Sequence, residues 1–186
     1  GRQIEWQTIM KDKIRKVGVI GAGTMGNGIA QVFAAAGYSV TMRDIKQEFV
    51  DRGVATISKS LDRLVSRGKL TPESRDATLA HIRPTIELAD LGESDIVIEA
   101  IVENYDLKAA LIKELDRLCR PTTIFATNTS SISVTQIAAA SEHPGRVAGM
   151  HFFNPVPMMQ LVEIIRALQT TEEVCQTIVY VVDSLG

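Results

Sequence analysis

The 186-residue sequence has little that would direct it to nucleic acid, to a membrane or to an oxidising compartment. Its 20 Lys and Arg are balanced by 22 Asp and Glu, so there is no basic excess to attract a nucleic acid. No apolar run reaches the length that spans a bilayer. The two cysteines, Cys119 and Cys175, are far apart and have no metal-ligand spacing, which predicts free thiols. We therefore expect a protein of a reducing compartment, the cytoplasm, or of an organelle if a transit peptide has been removed.

The composition is that of a globular domain, since 45% of the residues are hydrophobic and 23% are charged. We expect residues 14–186 to form one domain. Residues 1–13 are predicted to be a tail before the first strand, either a cloning remnant or the continuation of a longer upstream chain.

Strands alternate with helices along most of this domain. A buried strand at residues 16–20 is followed by a glycine-rich turn, a helix at 29–36 that Gly37 ends, and a strand at 39–42. The pattern returns as a strand at 95–100, a helix at 107–119 and a strand at 123–127. This order predicts an α/β fold of the Rossmann type, doubly wound around a mostly parallel sheet.

Two further features complete the predicted fold. Residues 47–67 and 72–79 form a helical hairpin with a narrow apolar stripe, which predicts that it projects from the sheet. Residues 147–151 and 161–165 are strand-like, and the connection between them is too short for a helix. They are therefore expected to pair antiparallel at the edge of the sheet. Residues 170–185 are expected to be helical.

The glycine-rich turn, Gly21-Ala22-Gly23-Thr24-Met25-Gly26, fits the G-x-G-x-x-G pattern of dinucleotide-binding proteins. It follows a strand and opens a helix, and Asp44 ends the next strand. The exposed amides and the helix dipole would hold a pyrophosphate, and Asp44 would bind the ribose hydroxyls and repel a 2′-phosphate. This predicts NAD rather than NADP. The loop alone leaves FAD open, and the alternative is a plain turn with Asp44 capping the next helix.

Polar residues follow the later strands at the edge where a ligand would bind. Ser130 and Ser131 come after the strand at 123–127, and either caps the next helix or faces the ligand. Glu99 ends its own strand and could face the cofactor. For Glu103 and Lys108 the residues alone favour a solvated helix start.

His151 closes a predicted edge strand, and Glu163 lies on the strand expected to pair with it. A buried carboxylate needs a partner, so a His–Glu pair is expected, in which the imidazole can accept a proton. The alternatives are a core histidine and a metal ligand. A metal site is not expected, because His81 and His143 have no ligand-type spacing.

The sequence resembles the L-3-hydroxyacyl-CoA dehydrogenase family, of the 3-hydroxybutyryl-CoA dehydrogenase type. Four segments spread over nearly the whole chain carry the likeness: V-G-V-I-G-A-G-T-M-G-N-G-I-A-Q, I-V-I-E-A-I-V-E-N, A-T-N-T-S-S-I and H-F-F-N-P-V-P-M-M-Q-L-V-E-I-I. The resemblance implies NAD-dependent oxidation of a short-chain (S)-3-hydroxyacyl-CoA to the 3-oxoacyl-CoA, in fatty-acid or butanoate metabolism.

The resemblance also implies roles for individual residues. His151 would take the proton of the 3-hydroxyl, Glu163 would orient His151, and Ser130 would bind the 3-oxygen. The glycine loop would hold NAD together with Asp44, Glu103, Lys108, Ser130 and Asn154. In the hairpin, the coenzyme A portion would contact Ser60 and a base at Arg67 or Lys69.

Members of this family continue into a helical domain that completes the acyl pocket and forms a homodimer. The resemblance therefore implies that this domain is absent from the chain, and it leaves open whether the chain alone is active. Two other functions stay open: a non-catalytic NAD-binding protein, and another β-hydroxyacid dehydrogenase, which would typically use a lysine as its base.

Overall fold

A computed structural model of the protein describes residues 1, 2, 5 and 13–186, so most of the expected tail lies outside the described residues. The strands are β1 Lys16–Ile20, β2 Ser39–Arg43, β3 Ile82–Thr85, β4 Ile96–Glu99, β5 Ile124–Thr127, β6 Val147–Phe152 and β7 Val162–Arg166. They form one sheet in the order β3-β2-β1-β4-β5-β6-β7. Every neighbouring pair is parallel except β6 and β7, which are antiparallel. The predicted fold class and the antiparallel edge pair are confirmed.

Helices cover both faces of this sheet. They are α1 Thr24–Ala35, α2 Gln47–Ser66, α3 Pro72–Ala80, α4 Tyr105–Leu118, α5 Val134–Ala139 and α6 Glu172–Ser184. Successive residues of β4 point to opposite faces. Ile96 and Ile98 belong to a core that includes residues of α1, α2 and α6, whereas Val97 packs in a second core with residues of α4 and α5. No described helix has both the length and the apolar character that crossing a bilayer requires.

Helix α1 begins at Thr24, five residues before the predicted start, because the chain becomes helical inside the glycine-rich turn. It ends as predicted at Gly37, which has a φ of +97°. The amides of Gly37 and Tyr38 donate to the carbonyls of Ala34 and Phe33 at 3.0 and 3.1 Å. These are the two bonds of a Schellman motif, in which a left-handed residue satisfies the last carbonyls of a helix.

The helical hairpin is formed by α2 and α3, and Thr71 caps α3 as its side chain accepts from the amide of Ser74. The stripe of α2 enters the core through Val50, Ile57 and Leu61, while the opposite side of the helix is exposed, as a narrow stripe requires. Between the hairpin and β4 the structure adds the edge strand β3, which the sequence analysis did not predict.

Candidate functional site

The carboxyl ends of β1 and β4 form the crevice of the sheet. These strands are neighbours, but the helices that follow them, α1 and α4, cover opposite faces, which is the arrangement that opens a ligand crevice in α/β folds. At its floor Gly21 has a φ of +105°, and a Cβ there would lie 2.7 Å from the carbonyl oxygen of Ala100. The loop after β4 therefore lies against the glycine turn.

The glycine turn fits a dinucleotide pyrophosphate. A Cβ on Gly26 would lie 1.7 Å from the carbonyl oxygen of Gly21, so the third glycine allows α1 to start tightly against the strand. Gly23 is the N-cap of α1, and a Cβ on it would have no atom within 4 Å. The space above Gly23 is open and the amides of the first turn, which include Thr24 and Met25, point toward it, as anion binding at a helix N-terminus requires.

Asp44 lies beside this turn at the end of β2. Its Oδ2 accepts a hydrogen bond from the amide of Ala22 at 2.9 Å, and its Oδ1 accepts from the amide of Ile45 at 2.7 Å. The N-cap of α2 is Lys46, without a side-chain cap, so Asp44 does not cap the next helix. The capping alternative is therefore wrong, and the carboxylate lies next to the loop that it would serve.

His151 and Glu163 are directly opposite each other in the β6–β7 pair, as the sequence predicted. Nδ1 of His151 lies 3.7 Å from Oε2 of Glu163, within ion-pair range but too far for a hydrogen bond. The imidazole is half-buried against the ring of Phe153, with 4.6 Å between ring centroids. Since Nδ1 faces the carboxylate, Nε2 is the nitrogen left for a substrate.

The expected burial of Glu163 is wrong, because 55% of its side chain is exposed. Within the described residues β7 is an edge strand that pairs only with β6, and so one side of it is open. An exposed carboxylate needs no partner to offset desolvation. Glu163 therefore lies beside His151 because of the strand register, and not because a buried carboxylate required an ion-pair partner.

The turn after β6 returns to the glycine-loop helix. Val156 is buried against α1, where a Cβ on Gly28 would lie 2.8 Å from the Cβ of Val156. Asn154 is exposed, and its peptide bond to Pro155 is cis. The contact of Val156 therefore places Asn154 in a turn that packs on the helix of the glycine loop. His151 is therefore the penultimate residue of a strand whose next turn packs on the predicted cofactor helix.

Glu103 links the loop after β4 to the loop after β5. Its Oε2 accepts from the hydroxyls of Thr129 and Ser131 at 2.7 and 2.9 Å and from the amide of Ser130 at 3.3 Å. Burial acts to raise the pKa of Glu103. The hydrogen bonds from Thr129, Ser131 and Lys108, with the Lys108 charge, outweigh burial and lower that pKa to about 2.

Lys108 is buried, so the solvated helix start expected from the residues alone is wrong. Its ammonium has no exposed surface and lies 2.7 and 2.8 Å from the two oxygens of Glu99 and 3.1 Å from Oε1 of Glu103. Glu99 also accepts from the Thr127 hydroxyl and the Ile101 amide. The pKa of Glu99 is raised, because burial outweighs the Lys108 charge and these hydrogen bonds, which act to lower it.

The loop after β5 contains residues that the sequence analysis missed. Ser133 caps α5 by accepting from the amide of Gln136, so neither Ser130 nor Ser131 is the cap. Ser130 is exposed at the open side of the loop. Asn128 had no predicted role, yet its Oδ1 accepts from the amide of Phe152 at 2.8 Å and joins this loop to the end of β6. A single polar residue after a strand gave no signal for that role.

The residues predicted to contact coenzyme A lie on the hairpin. Ser60 faces α1, where its Oγ accepts from Nε2 of Gln31 at 3.0 Å. Arg67 and Lys69 are exposed at the turn between α2 and α3. The structure brings none of these three together with His151 through a contact among the described residues, and their role stays a prediction.

Comparison with known proteins gives consistent matches. The model of one family, described as 3-hydroxyacyl-CoA dehydrogenase, NAD binding domain, matches residues 16–186. A probable 3-hydroxybutyryl-CoA dehydrogenase of Deinococcus radiodurans is 49% identical over 171 residues, which are 92% of this chain and 61% of that protein. The fatty acid oxidation complex subunit alpha of Psychrobacter arcticus is 47% identical over 94% of this chain and 24% of its own length.

A solved structure matches equally well. The (S)-3-hydroxybutyryl-CoA dehydrogenase from Ralstonia eutropha superposes with a TM-score of 0.91 at 49% identity, covering 93% of this chain and 61% of that one. The chain thus spans less than two thirds of the length of these relatives, 61% of the two dehydrogenases and 24% of the fatty acid oxidation subunit.

Proposed function

The chain belongs to the 3-hydroxyacyl-CoA dehydrogenase family and contains its NAD-binding domain, and from this premise we propose that the whole protein oxidises (S)-3-hydroxyacyl-CoA to 3-oxoacyl-CoA with NAD. We propose short-chain 3-hydroxybutyryl-CoA as the substrate, because relatives at 44 to 49% identity carry that name. Relatives named as fatty acid oxidation subunits support a place in fatty-acid or butanoate metabolism.

The residues of this chain have separate tasks in the proposed reaction. When bound, NAD supplies the nicotinamide ring that accepts a hydride from C3 of the substrate. The glycine loop holds the pyrophosphate and Asp44 the ribose, and Glu103, Lys108, Ser130 and Asn154 complete the cofactor site. Nε2 of His151 takes the proton of the 3-hydroxyl, while Glu163 stabilises the imidazolium and Ser130 binds the 3-oxygen.

One observation carries this proposal: His151 lies near the end of β6, whose following turn packs on the helix of the glycine loop, and Glu163 lies opposite it in register. The proton acceptor and the dinucleotide loop therefore share one edge of the sheet. The base that this strand pair offers is a histidine, whereas other β-hydroxyacid dehydrogenases typically use a lysine.

We also propose that the whole protein is a cytoplasmic homodimer whose contacts lie in the part that extends beyond this chain. The resemblance to the family supports the dimer, and light scattering of the whole protein tests it. The cytoplasm is supported by both cysteines being free, Cys119 buried and Cys175 half-buried.

The proposed function is tested by the reduction of acetoacetyl-CoA with NADH by the whole protein. His151→Ala should lower kcat by at least ~10²-fold, because the base is lost while the cofactor site stays intact. Glu163→Gln should lower kcat by only about tenfold, because a half-exposed carboxylate 3.7 Å away contributes less than the base itself.

Glu172→Gln is the matched control, since Glu172 is an exposed acid that pairs with Arg166 at the other end of β7. It should leave the rate unchanged. An unaltered rate in His151→Ala would remove this residue from the mechanism. NADH binding without any turnover by the unmutated whole protein would favour the non-catalytic alternative.

A further inference from the structure

Glu99 has no task in the reaction described above, yet it is the most enclosed acid of the site. Only 5% of the residue is exposed, and it ends β4 at the crevice beside the glycine turn. The position allowed it to face the cofactor, but its carboxylate instead accepts hydrogen bonds from Lys108, the Thr127 hydroxyl and the Ile101 amide. A buried carboxylate so fully satisfied has its orientation fixed.

The contacts continue outward from Glu99 in a defined order. Lys108 joins Glu99 to Glu103, and Glu103 accepts from Thr129, Ser131 and the Ser130 amide. In the same loop Asn128 accepts from the amide of Phe152, the neighbour of His151. Polar contacts therefore run from the floor of the crevice to the loop after β5, and Asn128 of the same loop joins it to the end of β6.

The charges of this set connect Glu99 to Glu103 through Lys108. Lys108 bears one positive charge and lies between two carboxylates, one of them enclosed and the other 38% exposed at the crevice. If Glu99 lost its charge, the ammonium would be drawn toward Glu103 alone. The Glu103 carboxylate would then turn away from the hydroxyls of Thr129 and Ser131, and the loop that carries Ser130 would lose its anchor.

We propose, on the basis of the proposed function, that Glu99 is a positioning residue for the cofactor site: its carboxylate holds Lys108, and through Lys108 it fixes Glu103 and the loop of residues 128–131. Glu99 itself touches neither NAD nor substrate. Its effect is greatest where Glu103 contributes, which is the binding of NAD. It is smaller on the acyl-CoA, which this loop meets only through Ser130.

The test is the kinetics of Glu99→Gln in the whole protein, with NADH and acetoacetyl-CoA varied separately, well below the Tm of each variant. Glutamine keeps the shape and one acceptor but removes the charge. We expect the KM for NADH to rise on the order of tenfold while the KM for acetoacetyl-CoA stays within about twofold. Glu99→Asp, which restores the charge, should recover part of the loss.

Glu114→Gln is the matched control, because Glu114 is an exposed acid on the same helix as Lys108 and should leave both constants unchanged. A lower Tm for Glu99→Gln with an unchanged KM for NADH would show a merely structural residue and overturn the proposal. So would equal increases in both constants.

Two further arms keep the outcome decisive. If Glu99→Gln does not fold, Thr127→Val takes its place, because it removes one hydrogen bond to Glu99 and leaves every charge. A smaller rise in the KM for NADH, with the KM for acetoacetyl-CoA again nearly unchanged, supports the proposal. Unchanged kinetics contradict it. If the unmutated protein binds NADH but does not reduce acetoacetyl-CoA, the proposed function fails. The role of Glu99 is then tested by comparing the Kd of NADH for Glu99→Gln and for the unmutated protein in a fluorescence titration.

Discussion

Asp44 combines a structural contact with a proposed role in binding. Its two oxygens accept from the amides of Ala22 and Ile45, and a carboxylate offers about four acceptor sites. Two sites therefore stay available for the ribose diol. Because the same carboxylate holds the amide of Ala22, Asp44 also fixes the glycine turn before any ligand arrives.

Asp44→Ala should weaken NAD binding by about tenfold, because charge-assisted hydrogen bonds to the ribose are lost. NADP binding should weaken less or improve, because the repulsion of the 2′-phosphate disappears. Isothermal titration of both dinucleotides measures the two constants. Asp44→Asn separates charge from shape, since it keeps an acceptor for the Ala22 amide. Tighter binding of NADP than of NAD by the unmutated protein would contradict the ribose argument.

The residue scale is also where the sequence was least informative. Helix spacing placed Lys108 near the start of α4 but could not show that the ammonium lies between Glu99 and Glu103. For Glu163 the error was in the opposite direction. An acid in an apolar run suggested burial, and the structure shows it exposed on an edge strand. Exposure depends on which elements are neighbours in space, and local composition contains little of that information.

At the scale of elements, the glycine turn and α1 form one unit whose glycines have different tasks. Gly26→Ala should destabilise the fold by about 2 kcal/mol or more, because its Cβ would lie 1.7 Å from the backbone oxygen of Gly21 and neither backbone can yield freely. Gly23→Ala should leave the Tm unchanged, because its Cβ would meet nothing within 4 Å. It should nevertheless weaken NAD binding, since that methyl group would occupy the space of the pyrophosphate.

Each variant is the control for the other, because Gly26→Ala is expected to change stability and Gly23→Ala to change NAD binding without a change in Tm. Thermal unfolding followed by circular dichroism measures stability, and titration with NAD measures binding. If Gly23→Ala bound NAD as tightly as the unmutated protein, the pyrophosphate would have to lie elsewhere. If Gly26→Ala kept the Tm, the close packing of α1 on the strand would be incorrect.

Elements with strong local signals were predicted well. The strand at Lys16–Ile20, the helix expected within residues 170–185 and the end of α1 at Gly37 have the expected places, because each depends on neighbours in sequence. Strand β3 was missed. Its sequence, I-R-P-T, is short and polar and contains a proline, which an edge strand tolerates but which weakens the alternation typical of strands.

At the scale of the whole molecule, the order of the sheet brings together residues that are far apart in sequence. The strand order places β1 beside β4, and β5 beside β6. The glycine turn, Glu103 and Ser130 follow the carboxyl ends of their strands, and His151 is the penultimate residue of β6. The resemblance to a family assigned these residues to one site. Alternation of strands and helices alone predicted the doubly wound class, but it could not give the polar contacts between the loops.

Those contacts should make the acid stability of the whole molecule depend on Glu103. Its pKa is lowered to about 2 in the folded protein, from 4.5. A carboxylate with a depressed folded pKa stabilises the fold above its unfolded pKa, and this contribution is lost as the pH falls through the folded pKa. The unmutated protein should therefore exceed Glu103→Gln in stability at pH 7, and the difference should narrow between pH 4.5 and about 2.

Urea unfolding of both proteins at several pH values between neutrality and pH 3 measures this difference. Thr129→Val, which removes one hydrogen bond to Glu103, should show the same pH dependence with a smaller gap. The gap should be modest in each case, because 38% of the Glu103 side chain is exposed and solvent screens its interactions. A gap that stayed constant across this pH range would mean that the Glu103 charge does not hold the two loops together, and the loop after β5 would then need another anchor.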